Sequence, residues 1–185
     1  MKNIFAPKVI LITIIILVAS LSRLLPHPFN FTPLGAMALF GGAYFSNRLF
    51  AYLIPMISLL IGDVLMGIKD PLYADYLLTG GFLTIYICFI MITGLGILLR
   101  KNRSVFRIYL FSVISSVLFF IVSNFFSWMG IGMDLYPLTF KGLVSCYVSA
   151  IPFFKTTLLG DLFYNTIFFG ILYIMQLSFP RLERA

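Results

Sequence analysis

Long apolar runs, closely spaced and without alternation, constrain this chain more than any other feature. VILITIIILVASL and VISSVLFFIV are typical of them. In lipid the backbone has no water to bond to, so only helices and closed barrels satisfy its N–H and C=O groups. Barrel strands alternate apolar and polar residues, and these runs do not. Charged residues make up 10% of the chain and hydrophobic residues 61%, against about 25% charged in a soluble domain. The expectation is therefore an all-α polytopic membrane protein, with residues 1–185 forming a single transmembrane domain.

Six spans follow from the runs, over residues 9–25, 34–46, 49–68, 77–99, 105–128 and 156–179. Residues 140–154 are apolar but short and close on Pro152, which points to a short re-entrant helix before the last span. If that segment crosses fully, the count becomes seven. Val18-Ala19-Ser20 after a basic start also fits a cleaved signal peptide, but the run continues through Leu21, Leu24 and Leu25 and favours a retained helix. Lys2, Lys8, Arg48, the cluster from Arg100 to Arg107, Arg181 and Arg184 share one side of a six-span layout. By the positive-inside rule that side is cytoplasmic. Both termini are expected there, with the chain in the bacterial inner membrane.

Residues 23–63 form the stretch around which the rest is arranged. Prolines at 26, 28 and 33 surround the single histidine, His27, and forbid regular helix there. Thr32 is placed as the N-cap of the next helix, with Pro33 at its first position. Gly35, Ala38 and Gly42 share one face of that helix and form a docking surface for another helix. The helix is short for a span, so it is expected to be tilted or partly re-entrant. A further pattern joins the two halves: Ile54-Pro55 precedes Gly62-Asp63, and Ile151-Pro152 precedes Gly160-Asp161. Inverted repeats of transporters leave such traces.

The candidate substrate-binding residues are His27, Asn30, Asp63, Asn124, Trp128, Tyr136 and Asp161. Carboxylates within a span cost several kcal/mol unless they face a cavity or a partner. For Asp63 one such partner is Arg23, at the end of the first span. His27 both donates and accepts hydrogen bonds near neutral pH. Asn124 and Trp128 lie four apart, on one helical face, and together suit a planar ring. All seven map to the outer half under the charge-derived topology, which describes an outward-facing pocket rather than a channel. Cys88 and Cys146 sit in apolar segments and read as packing; as a metal ligand Cys146 suits a soft centre such as the cobalt of a corrinoid.

Other chemistries find no footing. The chain has no CxxC or Cys/His cluster, no HExxH, no GxSxG and no GxxxxGK[ST]. No metal, no cofactor and no enzymatic activity are expected. The net charge of +7 belongs to basic loops rather than to a nucleic-acid surface.

The runs RLLPHPFNFTPLGAMALFGGAYF, IGDVLMG, SNFFSW, YPLTFKGLVSCYVSAIPFF and LLGDLFYN together resemble an uncharacterised bacterial family described only as transport proteins. The layout is also similar to the S components of energy-coupling factor (ECF) vitamin transporters. That resemblance implies a six-helix subunit that captures a micronutrient under a loop between its first two helices. It also implies a coupling membrane protein and ATPases as partners, besides the substrate and the bilayer. S components carry small alanines for docking in the first helix, and here the small residues are on the second. A solitary secondary transporter and a ligand-free structural or assembly protein are the competing functions.

Overall fold

The computed structural model describes residues 6–131 and 135–179. The expectations for Lys2, Arg181 and Arg184 lie outside the described residues. Seven helices and no strand occur among the described residues: α1 Pro7–Ser22, α2 Leu34–Tyr44, α3 Arg48–Lys69, α4 Pro71–Leu77, α5 Gly80–Leu99, α6 Val105–Trp128 and α7 Phe140–Ser178. Four of them, α3, α5, α6 and α7, are long and apolar enough to cross a membrane. The chain is an α-helical membrane protein, as its apolar runs require.

The centre of the bundle is α2. Its sequence, LGAMALFGGAY, is apolar on every side, and a helix of that kind is buried all round. Every residue from Ala36 to Ala43 is buried. Its 11 residues extend about 16 Å, about half the thickness of a bilayer core. The small residues set how closely the neighbours approach. A Cβ on Gly42 would strike the α5 backbone at Thr93 and Gly96, and one on Gly96 would strike Leu39 and Gly42. α2 and α5 thus touch backbone to backbone. Gly41 faces Pro55 of α3 and Ile16 of α1. The small face of α2 is filled from within the chain, and Ala38 is fully buried.

Two expectations change. Pro33, not Thr32, holds the N-cap position of α2, and no side chain of the local sequence caps it. The expected short helix over 140–154 does not turn back before a separate last span. It runs on through Pro152 into a single helix of 39 residues, α7. Proline lacks one donor and crowds the preceding turn, but packed transmembrane helices tolerate it where Ser or Thr re-satisfies the backbone. Thr156 Oγ1 donates to the Pro152 carbonyl at 3.4 Å, a back-bond onto the turn that follows the proline. The polar loop after α3 contains a further short helix, α4, started by Asp70, whose side chain accepts from Leu72 N at 3.0 Å.

The two ends of the bundle differ in charge. Arg48 and Arg103 each lie close enough to Arg100 for their charges to act on it. Arg100 Nε donates to the Gly42 carbonyl at 2.7 Å, and its Nη1 donates to the Ser46 carbonyl at 3.2 Å. The guanidinium therefore takes up the Gly42 carbonyl left open at the C-terminus of α2, where positive charge is favoured, together with the Ser46 carbonyl just beyond the helix. Arg103 lies over the Tyr44 ring, 4.5 Å from its centre.

Replacing Gly96 by Leu is expected to cost about 3 kcal/mol or more, the upper end of overpacking penalties. Gly170, where an added Cβ meets no neighbouring atom within 4 Å among the described residues, should accept Leu within about 0.5 kcal/mol. Equilibrium unfolding in a denaturing detergent separates the two.

Candidate ligand cavity

A cavity of about 420 Å³ opens at the other end of α2, within the usual range of small-molecule sites, roughly 300–1,000 Å³. The first turn of α2 forms one wall, through Leu34 and Gly35. The proline loop contributes His27, Asn30 and Thr32, and α3 and α7 contribute Asp63 and Asp161. A smaller cavity of about 140 Å³ adjoins it, sharing Asn30, Phe119 and Thr157 and adding Ser123 and Asn124.

The proline loop is fixed across α7. Phe31 packs on Phe163 and Tyr164, with ring centres 5.5 and 5.7 Å away. Gly160 leaves room for the backbone of Phe31 and Thr32, about 3.3 Å from where its Cβ would stand. On the α3 side, Lys69 Nζ donates to the Leu24 carbonyl at 2.8 Å. Asn30 has a φ of 60°, a left-handed conformation that Asn adopts more readily than most residues. His27 Nδ1 lies 2.9 Å from the Pro28 carbonyl. A carbonyl only accepts, so Nδ1 carries the proton and Nε2 is left to accept in the neutral ring.

The two intramembrane carboxylates have different surroundings. Asp63 is paired with Arg23 at 2.7 Å, and both are buried. Tyr73 donates to the same oxygen at 2.8 Å, and Tyr86 donates to the other at 3.0 Å. Arg23 Nη2 in turn donates to the Tyr73 hydroxyl at 3.0 Å. Burial pushes the Tyr73 phenol up to about 12, with the Asp63 carboxylate acting in the same direction and Arg23 against it. Tyr73 therefore stays protonated and keeps donating. This network ties the end of α1 to α3, α4 and α5.

Asp161 makes no salt bridge among the described residues. Ser116 Oγ of α6 donates to Asp161 Oδ2 at 2.6 Å. The carboxylate also lies against Gly35 and the backbone N–H of Ala36. A Cβ at Gly35 would collide with it. Asp161 thus supplies from α7 the hydrogen-bond acceptor that the N-terminus of α2 lacks in its own sequence.

The structure brings four of the seven candidates, His27, Asn30, Asp63 and Asp161, to the larger cavity, and Asn124 to the smaller one. Trp128 and Tyr136 line neither. Trp128 Nε1 donates to the Pro137 carbonyl at 3.1 Å, fastening the segment before α7. The Asn124 amide donates to the Phe120 carbonyl of its own helix at 2.7 Å. Cys146 is buried and its thiol donates to the Asn124 carbonyl at 3.4 Å. Gly35 meets the Asp161 carboxylate and Gly42 meets α5, so both positions of the small face are occupied by this chain.

Several participants are absent from the sequence reading. Ser116, Tyr73 and Tyr86 hold the two carboxylates, and no local pattern sets them apart from other Ser and Tyr residues. Asn165 is fully buried one turn after Asp161, and neither its amide oxygen nor its nitrogen has a hydrogen-bond partner among the described residues. Its spacing of four from an intramembrane Asp was a usable signal.

Residues 3–182 match DUF6580, a family of unknown function. The chain belongs to that family. No curated protein and no solved structure matches it, so the likeness to ECF S components gains no support from these comparisons. An assignment to DUF6580 agrees with the expected membership of an uncharacterised family and leaves the cavity as the ground for any functional reading.

Replacing Arg23 by Met strands a buried carboxylate and is expected to cost about 3–5 kcal/mol. Asp63→Asn should also destabilise. The double substitution should cost clearly less than the sum, as read in a double-mutant cycle by detergent unfolding.

Proposed function

We propose that the chain captures a small organic molecule from the side of the membrane opposite its basic loops, as the substrate-binding subunit of an uptake system. The observation that supports this most is the 420 Å³ cavity, formed where a buried half-length helix begins and roofed by a proline-rich loop. Half-length helices ending inside the bilayer are how many transporters build their binding sites. Irregular backbone at such depth is tolerated where it lines a cavity. The site is one of binding rather than catalysis, because both carboxylates are engaged in positioning contacts.

By the positive-inside rule, the end with Arg48, Arg100 and Arg103 faces the cytoplasm of a bacterial cell, and the cavity opens outward across the inner membrane. The sequence carries no P-loop. Energy for uptake would come from a separate coupling protein and ATPases, in the manner of an ECF transporter. The polar loop residues His27 and Asn30 orient the ligand, and the aromatic residues Phe29, Tyr76 and Phe82 cover its apolar body.

Purification from the native host in mild detergent, followed by mass spectrometry, is the direct test. A stoichiometric small molecule is expected, together with coupling protein and ATPases if the uptake complex survives. His27→Ala and Asn30→Gly should lower retention of that molecule about tenfold, the loss expected from one or two polar contacts, with unchanged membrane yield. Trp128→Phe, outside the cavity, should retain it fully. Retention unchanged in the first two variants would sink the assignment.

A further inference from the structure

The basic end of α2 gathers positive charge that the described chain does not balance. Arg100 donates Nε to the Gly42 carbonyl and Nη1 to the Ser46 carbonyl, which fixes its guanidinium on the turn between α2 and α3. Its third nitrogen, Nη2, is shielded from solvent and has no hydrogen-bond partner among the described residues. Arg48 and Arg103 bring two further guanidinium groups near it, and Arg103 lies over the Tyr44 ring. Among the described residues the one salt bridge is Arg23–Asp63, and Asp63, Asp70 and Asp161 line the cavity at the opposite end. Arginine does not shed its proton, so the three charges stay together in a partly dry setting, where repulsion is strong. The needs of α3 do not explain Arg48. It occupies the first position of that helix, a place that favours negative charge over positive, and no acidic residue is in the first turn. Asn47 already caps the helix, accepting from Leu49 N.

We infer that Arg48, Arg100 and Arg103 form a phosphate site, filled by the headgroup of an anionic lipid in the leaflet at this end of the bundle. Guanidinium groups match phosphate oxygens two at a time, and basic pockets between transmembrane helices hold acidic headgroups. Arg100, held by two carbonyls, is the fixed charge. Arg48 and Arg103, both exposed, close on the phosphate from the start of α3 and from the loop before α6. The N-terminus of α3 adds its own attraction for an anion. A lipid suits the place better than a soluble anion because apolar side chains adjoin the arginines. Leu49 follows Arg48, and Val105 and Phe106 follow Arg103; all three are exposed and give acyl chains a surface. This site lies at the opposite end of α2 from the cavity and does not rest on the capture role.

The full chain, delipidated in mild detergent, is incubated with single probes and examined by native mass spectrometry. The probes are dioleoylphosphatidylglycerol, dioleoylphosphatidylcholine, dioleoylglycerol, inorganic phosphate and a hexaglutamate peptide. Phosphatidylglycerol is expected to be retained best, phosphatidylcholine less, and dioleoylglycerol least. Arg48→Gln and Arg103→Gln should each lower retention of phosphatidylglycerol about fivefold, the usual worth of one arginine near an anionic surface. Both side chains are exposed, so folding is expected to survive, and Arg100, which supports α2, is left in place. Lys101→Gln removes the same charge from the same loop and should change retention less than about twofold, because the site is built by the three arginines rather than by loop charge at large. Equal retention of phosphatidylglycerol and phosphatidylcholine, or an equal loss in all three variants, overturns the inference. Retention of inorganic phosphate without lipid also overturns it, in favour of a soluble phosphate. Retention of hexaglutamate without lipid does so in favour of an acidic protein segment.

Discussion

A helix of half the membrane thickness, buried in apolar protein, has to have both ends satisfied by groups from elsewhere. α2 is that helix, and the structure is arranged around meeting this requirement. The Asp161 carboxylate of α7 meets its first turn at Gly35 and the Ala36 N–H. At its other end the Gly42 carbonyl, and that of Ser46 just beyond the helix, receive the Arg100 guanidinium from the end of α5. An acceptor at the N-terminus and a cationic donor at the C-terminus each match the groups that end of a helix leaves open. In a low-dielectric interior such contacts count for more than at a surface.

The cavity is a consequence of the same constraint. Because α2 begins part-way through the bundle, the chain leading into it has to descend from the end of α1 as irregular backbone. Prolines keep that segment out of helix, and Phe31 pins it onto α7. The space between the loop, α3 and α7 remains open. Polar residues that would be costly against lipid are sheltered there. The Arg23–Asp63–Tyr73–Tyr86 network closes the side toward α4 and α5.

The faint repeat in the sequence has a physical counterpart, but an incomplete one. Gly62 and Gly160 each lie where a neighbouring segment passes close, Ser20 and Arg23 at the first and the proline loop at the second. Asp63 and Asp161 each turn toward the cavity. The first half breaks its helix at residues 45–47, while the second half runs unbroken through α7. Asn47 starts a new helix by accepting from Leu49 N, whereas Pro152 stays within α7, where Thr156 donates to its carbonyl.

Apolar runs without alternation determined an all-helical membrane chain, and the prolines at 26, 28 and 33 determined that regular helix stops before the buried segment. The intramembrane Asp63 and Asp161 and the loop residues His27 and Asn30 stood out for the same reason: polar groups at that depth need a partner or a cavity. These are local effects of backbone chemistry and transfer cost, which residue type alone sets. Which partner each group finds was decided by the tertiary structure. Arg23 was a candidate partner for Asp63, but Tyr73, Tyr86 and Ser116 meet their carboxylates only through the packing of α4, α5 and α6. Asn124 and Trp128 share a helical face yet face different surroundings, one beside the smaller cavity and the other fastened to Pro137. Hydrogen bonds across distant helices depend on how closely backbones approach, and here glycine contacts such as Gly42 with Gly96 set that distance.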